Sequence, residues 1–253
     1  MRVLVALVAS IAVCGVAAAQ KTPLPRARPA APAIRQDALA AERAEPAVEP
    51  SACRLRMTDD LAVAPSLPDI HGPGECGAGD LVQLEAVVLP NRSRVAVTPP
   101  AILRCTLAEA VVRWVREDVT PLVASFGARL KNIDNYASYD CRGRNRMLGA
   151  PLSEHGKANA LDIRSLKLAN GRVVRLTDVQ VSRDFRDNLR RATCARFMTV
   201  LGPGSDGFHE EHIHVDLAER SSGNRLCHWE VREPDAAIGG SPVPLPRPRP
   251  SGA

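Results

Sequence analysis

The chain has 253 residues, a formal net charge of +5 and only 3% aromatic residues. That aromatic share supplies no stacking platform for single-stranded nucleic acid, so no nucleic-acid partner is expected; the basic excess suits an anionic wall polymer or membrane surface, or else simply solubilises the Arg-rich tails. Beyond the N-terminus no run approaches the roughly 20 apolar residues of a membrane helix, so the mature chain is expected to lack a transmembrane segment.

The opening MRVLVALVASIAVCGVAAAQ places Arg2 before an apolar stretch and ends in small residues. This is the pattern of a secretory signal peptide over residues 1–19, cleaved after Ala19. A competing reading makes Cys14 a lipidated N-terminus, but Val13 is bulky where a small residue is required. Export predicts a periplasmic or secreted protein. Residues 20–51, rich in Pro, Ala and Arg, cannot bury a core and are expected to form a semi-extended linker; the Pro-rich tail 234–253 is the same in kind. Between them, residues 52–233 have the length of one domain. Once Cys14 leaves with the signal, Cys53, Cys76, Cys105, Cys141, Cys194 and Cys227 remain. An even set in an oxidising compartment predicts three disulfides, with the pairing open.

Within the domain, LVQLEAVVL (81–89) and RVAV (94–97) read as strands, and Pro99-Pro100 is expected to stop the sheet pattern. TLAEAVVRWVREDV opens with Thr106 and Glu109 at capping-box spacing and aligns Val111, Val112, Trp114, Val115 and Val119 on one side, predicting a helix. Pro121 should kink it or start a second helical piece reaching Leu130. NYASYDC (135–141) reads as a strand, RGRNR (142–146) as a loop, and LDIRSLKLANGRVVRLTDV (161–179) as two strands joined at Asn170-Gly171, a tight-turn signal. Residues 183–197 suit a helix and HIHVDL (212–217) a final strand. Helices and strands mix without regular alternation. The expected fold is α+β, a mainly antiparallel sheet flanked by helices.

Two segments concentrate chemistry. SEHGKANALD carries Ser153, His155 and Asp162, with small residues that let the backbone fold tightly between them. HEEHIH holds three of the chain's six histidines, with Glu210 and Glu211. On an extended strand His212, His214 and Asp216 share one face. Imidazoles beside carboxylates suit a divalent metal with nitrogen and oxygen ligands, and a catalytic zinc needs three protein ligands and an open position. His155, Asp162 and one histidine of the second cluster can supply the three, leaving a Glu or His to take a proton. Asp216 is expected either to orient His214 or to pair with Arg220. His71, in a Gly/Pro-rich loop, reads as exposed, and His228 as packed at the domain's end.

SEHGKANALD resembles the S-x-H-x-x-G-x-A-x-D signature of zinc D-alanyl-D-alanine carboxypeptidases and dipeptidases and related murein endopeptidases. The second signature of those enzymes, E-x-x-H or H-x-H, is matched by Glu211 and His214 or by His212 and His214. The resemblance implies one Zn2+ on His155, Asp162 and His214, with Glu211 as general base and His212 assisting. Ala158 stands where that signature has Gly. The substrate-contacting Arg of a Y-R-S context is missing, and Arg142 or Arg144 is expected to take its place; with the signature residue Ser153 they are the candidates for substrate binding. Over residues 52–233 the chain is more similar still to the C-terminal domain of bacterial extensin-like proteins, through NYASYDCRGRNR, LSEHGKANALDIR, LGPGSDGFHEEHIHVDL and the spaced cysteines. Together these readings imply an exported zinc metallopeptidase-like hydrolase of peptidoglycan or cell-wall peptides. The alternatives are a non-catalytic wall-binding module with a structural or vestigial metal site, and a structural Pro-rich envelope protein.

Overall fold

The structure, a computed structural model, describes residues 49–233. The expected signal peptide, the cysteine at position 14, nearly all of the linker and the tail 234–253 lie outside the described residues.

Ser51 opens the domain. Its side chain accepts from the Arg54 amide and caps helix α1 (Ala52–Arg56). Four two-residue strands follow, β1 (Ala62–Val63), β2 (Ser66–Leu67), β3 (Ile70–His71) and β4 (Gly77–Ala78). The long strands β5 (Leu81–Val88) and β6 (Arg94–Arg104) then pair antiparallel. The expected stop at Pro99-Pro100 is not observed. Ala101 pairs with Leu84 and Ala96 with Ala86, so the residues between them bulge out, where a missing N–H costs no ladder bond.

Helix α2 (Cys105–Arg113) begins one residue before Thr106, and no side chain caps it, so the predicted capping box does not form. Glu109 instead receives hydrogen bonds from Arg56 and Arg113. The helix runs on through a π-turn (Trp114–Val119) into α3 (Thr120–Val123) and a tight turn (Ala124–Phe126). Pro121 cannot donate a backbone bond, and the wider turn just before it accommodates the loss. Helical structure ends at Gly127, whose φ of 68° only glycine adopts without cost. Leu130 therefore does not end a helix; it begins strand β7 (Leu130–Ala137), which stops before the predicted Tyr139-Asp140-Cys141.

The hairpin at Asn170-Gly171 forms as expected, between β8 (Ala160–Leu168) and the shorter β9 (Val173–Arg175), with Gly171 at φ 87°. Helix α4 (Arg183–Arg196) leads to β10 (Thr199–Leu201), β11 (Ile213–Asp216) and β12 (Leu226–His228). The main sheet has the order β1-β5-β6-β7-β8-β11-β10-β12. Among the described residues only β6 with β7 and β10 with β12 pair in parallel, so the fold is α+β with a mainly antiparallel sheet.

The hydrophobic core lies between one face of this sheet and the helices. Leu161, Ile163, Ile213 and Val215 share it with Trp114, Val115, Phe185 and Leu189. Trp114 meets Phe197 edge to face and donates from Nε1 to Thr193 Oγ1 at 3.1 Å. All six domain cysteines pair, as Cys53–Cys105, Cys76–Cys141 and Cys194–Cys227. His71 is exposed as expected. His228 is exposed too, contrary to expectation, because neighbouring Trp229 takes the buried position. Among the described residues no helix is long and apolar enough to cross a membrane.

Candidate metal centre

Alternation along β8 and β11 decides which side chains meet. Leu161, Ile163, Ile213 and Val215 enter the core, so Asp162, His214 and Asp216 stand on the opposite face. The two strands are antiparallel neighbours with His214 directly across from Asp162. A slip of β11 by one residue would turn His214 toward the core and away from Asp162.

His155 arrives from the loop between β7 and β8. It sits on a single turn (Glu154–Lys157) capped by Ser153, whose Oγ accepts from the His155 amide at 3.3 Å. The turn closes with Ala158 in the left-handed region at φ 51°. Glycine adopts that conformation more readily than alanine does. Glu154 accepts from Lys157 and Asn159, bracing the turn from outside. Gly156 lies against Leu152; a Cβ there would come within 2.7 Å of Leu152 Cδ1 and 3.4 Å of Cys76 Sγ.

Three donor atoms converge. His155 Nε2 lies 3.2 Å from His214 Nδ1 and 3.2 Å from Asp162 Oδ1, and His214 Nδ1 lies 2.8 Å from the same oxygen. Ligands about 2.0–2.1 Å from a tetrahedral zinc would stand roughly 3.3 Å apart, so the spacing is close to that of a coordinated ion. The outer nitrogens are fixed too. His155 Nδ1 donates to the Ser138 carbonyl at 2.6 Å, and His214 Nε2 donates to Asp216 Oδ2 at 3.2 Å. Each imidazole therefore turns its other nitrogen inward, as second partners of metal-binding histidines do. Arg220 is occupied with Met198 O and Thr199 Oγ1, so Asp216 serves His214.

Electrostatics agree with a cation at this point. Burial alone would raise the Asp162 carboxyl, but hydrogen bonds and charge from His155 and His214 hold it well below the usual carboxylate range. Burial would lower His214, yet Asp162 and Asp216 together push it up to about 9. A proton on His214 Nδ1 is then donated to Asp162 Oδ1 at 2.8 Å. The residues present fit zinc.

A second group adjoins the first. His212 Nε2 is 3.5 Å from Asp162 Oδ2, and His209 Nδ1 donates to Asp206 Oδ1 at 2.7 Å. The His209 and His212 ring centroids are 5.1 Å apart. Burial is the main reason His212 titrates low, at about 4, with the neighbouring imidazoles adding to it against the pull of Asp162. It is neutral, hence able to act as a ligand, at ordinary pH. Tyr136 packs on His212 at 4.7 Å, and the Arg164 guanidinium lies 4.0 Å above the Tyr136 ring. Asn145 donates to Asp206 at 3.2 Å, tying the 142–146 loop to the segment that carries His209.

The structure brings His155, Asp162, His212 and His214 together. Glu211 it leaves exposed, with no hydrogen bond or ion pair among the described residues. Ser153, expected at the substrate, is 6% exposed and supports His155 from beneath. Arg142 is held by Asp140 at 3.1 Å, while Arg144 is exposed. Sequence reasoning missed His209, Asp206, Tyr136 and Arg164. His209 was signalled by its H-x-x-H spacing to His212, and Arg164 by its place two residues after Asp162 on the same strand.

Fold and site thus define a disulfide-bonded α+β domain with a buried histidine and aspartate cluster on the sheet face away from its helices. A family model, Extensin-like protein C-terminus, matches residues 51–228, and the chain belongs to that family. No curated protein and no solved structure matches the chain.

Proposed function

We propose that this protein is an exported zinc-dependent hydrolase acting on peptidoglycan peptides, of carboxypeptidase or endopeptidase type. One observation carries the reading: the inward nitrogens of His155 and His214 and an oxygen of Asp162 lie 2.8–3.2 Å from one another. The likeness of SEHGKANALD and HEEHIH to the paired signatures of zinc murein peptidases supports it, and three disulfides suit an oxidising compartment.

His155, Asp162 and His214 would hold the ion. When bound, zinc supplies Lewis acidity that polarises a carbonyl and acidifies water. Ser138 and Asp216 keep the two imidazoles oriented. Glu211, which has no hydrogen bond or ion pair among the described residues, is the proton acceptor, and His212 assists from the other side of Asp162. Arg164, stacked on Tyr136, offers a cation for a peptide carboxylate in place of the Arg missing from the Y-R-S context. The exposed apolar side chains of Phe208, Tyr136, Met147 and Leu148 give a peptide contact surface on the flanking segments.

A second reading has its own observation. His155, Asp162 and His214 are 1%, 3% and 7% exposed, a depth that also suits a structural ion in a non-catalytic wall-binding module. The test is to incubate zinc-loaded, oxidised protein with murein sacculi and cross-linked muropeptides and analyse the soluble products by mass spectrometry. Released muropeptides that disappear in Glu211→Gln support hydrolysis. Sedimentation with sacculi and no release assigns the module.

A further inference from the structure

We propose that Asp162, His209 and His212 hold a second divalent cation beside the first, with the Asp162 carboxylate bridging the two. The inference rests on the first ion of the proposed function and gives the assistance of His212 a chemical form. One donor atom from each of these three residues lies within 4.8 Å of the others. The two oxygens of Asp162 divide between the groups. Oδ1 faces His155 and His214, while Oδ2 faces His212 Nε2 at 3.5 Å. Among the described residues no Lys or Arg pairs with Asp162, so no fixed cation occupies the second side.

His209 is prepared for the role. Its Nδ1 donates to Asp206 Oδ1, and Asp206 is itself fixed by the Phe208 amide at 3.0 Å and by Asn145 Nδ2 at 3.2 Å. The lone pair of His209 is thereby placed on Nε2. This carboxylate-backed imidazole repeats, on the second side, the support that Asp216 gives His214 on the first. Two imidazoles and a carboxylate, buried and of mixed nitrogen and oxygen type, select a borderline ion such as zinc or cobalt over calcium or magnesium. A bridging carboxylate suits two ions about 3.5–4 Å apart, the spacing of two-metal hydrolases.

The test is metal stoichiometry. The full mature chain, oxidised and freed of metal, is titrated with Zn2+ by calorimetry, and retained zinc is counted by elemental analysis after gel filtration. Two equivalents are expected, falling to one in His209→Ala and in His212→Ala while the far-ultraviolet circular dichroism is unchanged. Asp206→Asn, which preserves shape but weakens the hold on His209, should lower affinity about 10–100-fold at one of the two sites only. One equivalent in the wild type, kept in His209→Ala and lost in His155→Ala, overturns the second site and leaves the first standing. No bound zinc in the wild type overturns both.

Discussion

Asp162 and His214 are direct cross-strand partners, and the 2.8 Å between Oδ1 and Nδ1 is set by the register of β8 against β11. Because that register also buries Leu161, Ile163, Ile213 and Val215, the force that builds the core aims the site. Asp162→Ala should abolish zinc retention with the core intact. Asp216→Ala, which frees only the outer nitrogen of His214, should weaken zinc about 10–100-fold, measured by competition with a chelator of known affinity.

The metal-free protein should be most stable near pH 6.5. His214 is raised to about 9 in the fold, so its contribution is fully present below the unfolded value of 6.5 and is lost as pH rises toward 9. His212 is lowered to about 4; its contribution is present above 6.5 and is lost as pH falls toward 4. Asp162 and Asp216, both held low, add a further loss at more acidic pH. If zinc binds as proposed it replaces the proton on His214, so the decline on the alkaline side should vanish in zinc-saturated protein. Thermal melts across pH 4–10, with and without zinc, check this. An alkaline decline unchanged by zinc would contradict the assignment of His214 as a ligand.

Glu211 and Arg164 should separate kinetically. Glu211→Gln is expected to leave zinc content unchanged and to lower kcat roughly 10²–10⁴-fold, the range for loss of a proton-transfer group. Arg164→Ala should chiefly raise KM for substrates with a free carboxylate and leave amidated ones unaffected. The comparison is made on muropeptides differing only at the C-terminus.

The Cys76–Cys141 disulfide joins β4's entry to the loop that carries His155, across 65 residues of sequence. Replacing both cysteines with serine should cost about 4 kcal/mol by loop entropy and lower Tm by about 10 °C. Gly156→Val should displace Leu152 and with it the His155 turn, weakening zinc more than it weakens the fold. Paired melting and zinc-competition curves distinguish the two effects.

Where the sequence was misleading, longer-range structure outweighed a local signal. Pro99-Pro100 reads as a strand end, yet β6 continues because its partner strand leaves a bulge for residues that cannot donate. Thr106 and Glu109 read as a cap, yet Arg56, which lies 53 residues away in sequence, draws Glu109 off. The two-residue strands β1 to β4 and the short β10 and β12 carry too few residues for alternation to show. Glu211 and His212 were adjacent candidates; the chain buries His212 beside Asp162 and leaves Glu211 exposed.

The sequence by itself picked out the two segments whose side chains the fold brings together. SEHGKANALD and HEEHIH stand out because residue type and spacing are local properties that read directly from the chain. It also determined the long helices, the Asn170-Gly171 hairpin and the even set of cysteines. Only the tertiary structure decided which nitrogen of each histidine faces inward, that His209 joins the cluster through Asp206, and which cysteines pair. Most of those outcomes depend on strand register and on partners distant in sequence, such as Ser138, 17 residues from His155, and Cys141, 65 residues from Cys76.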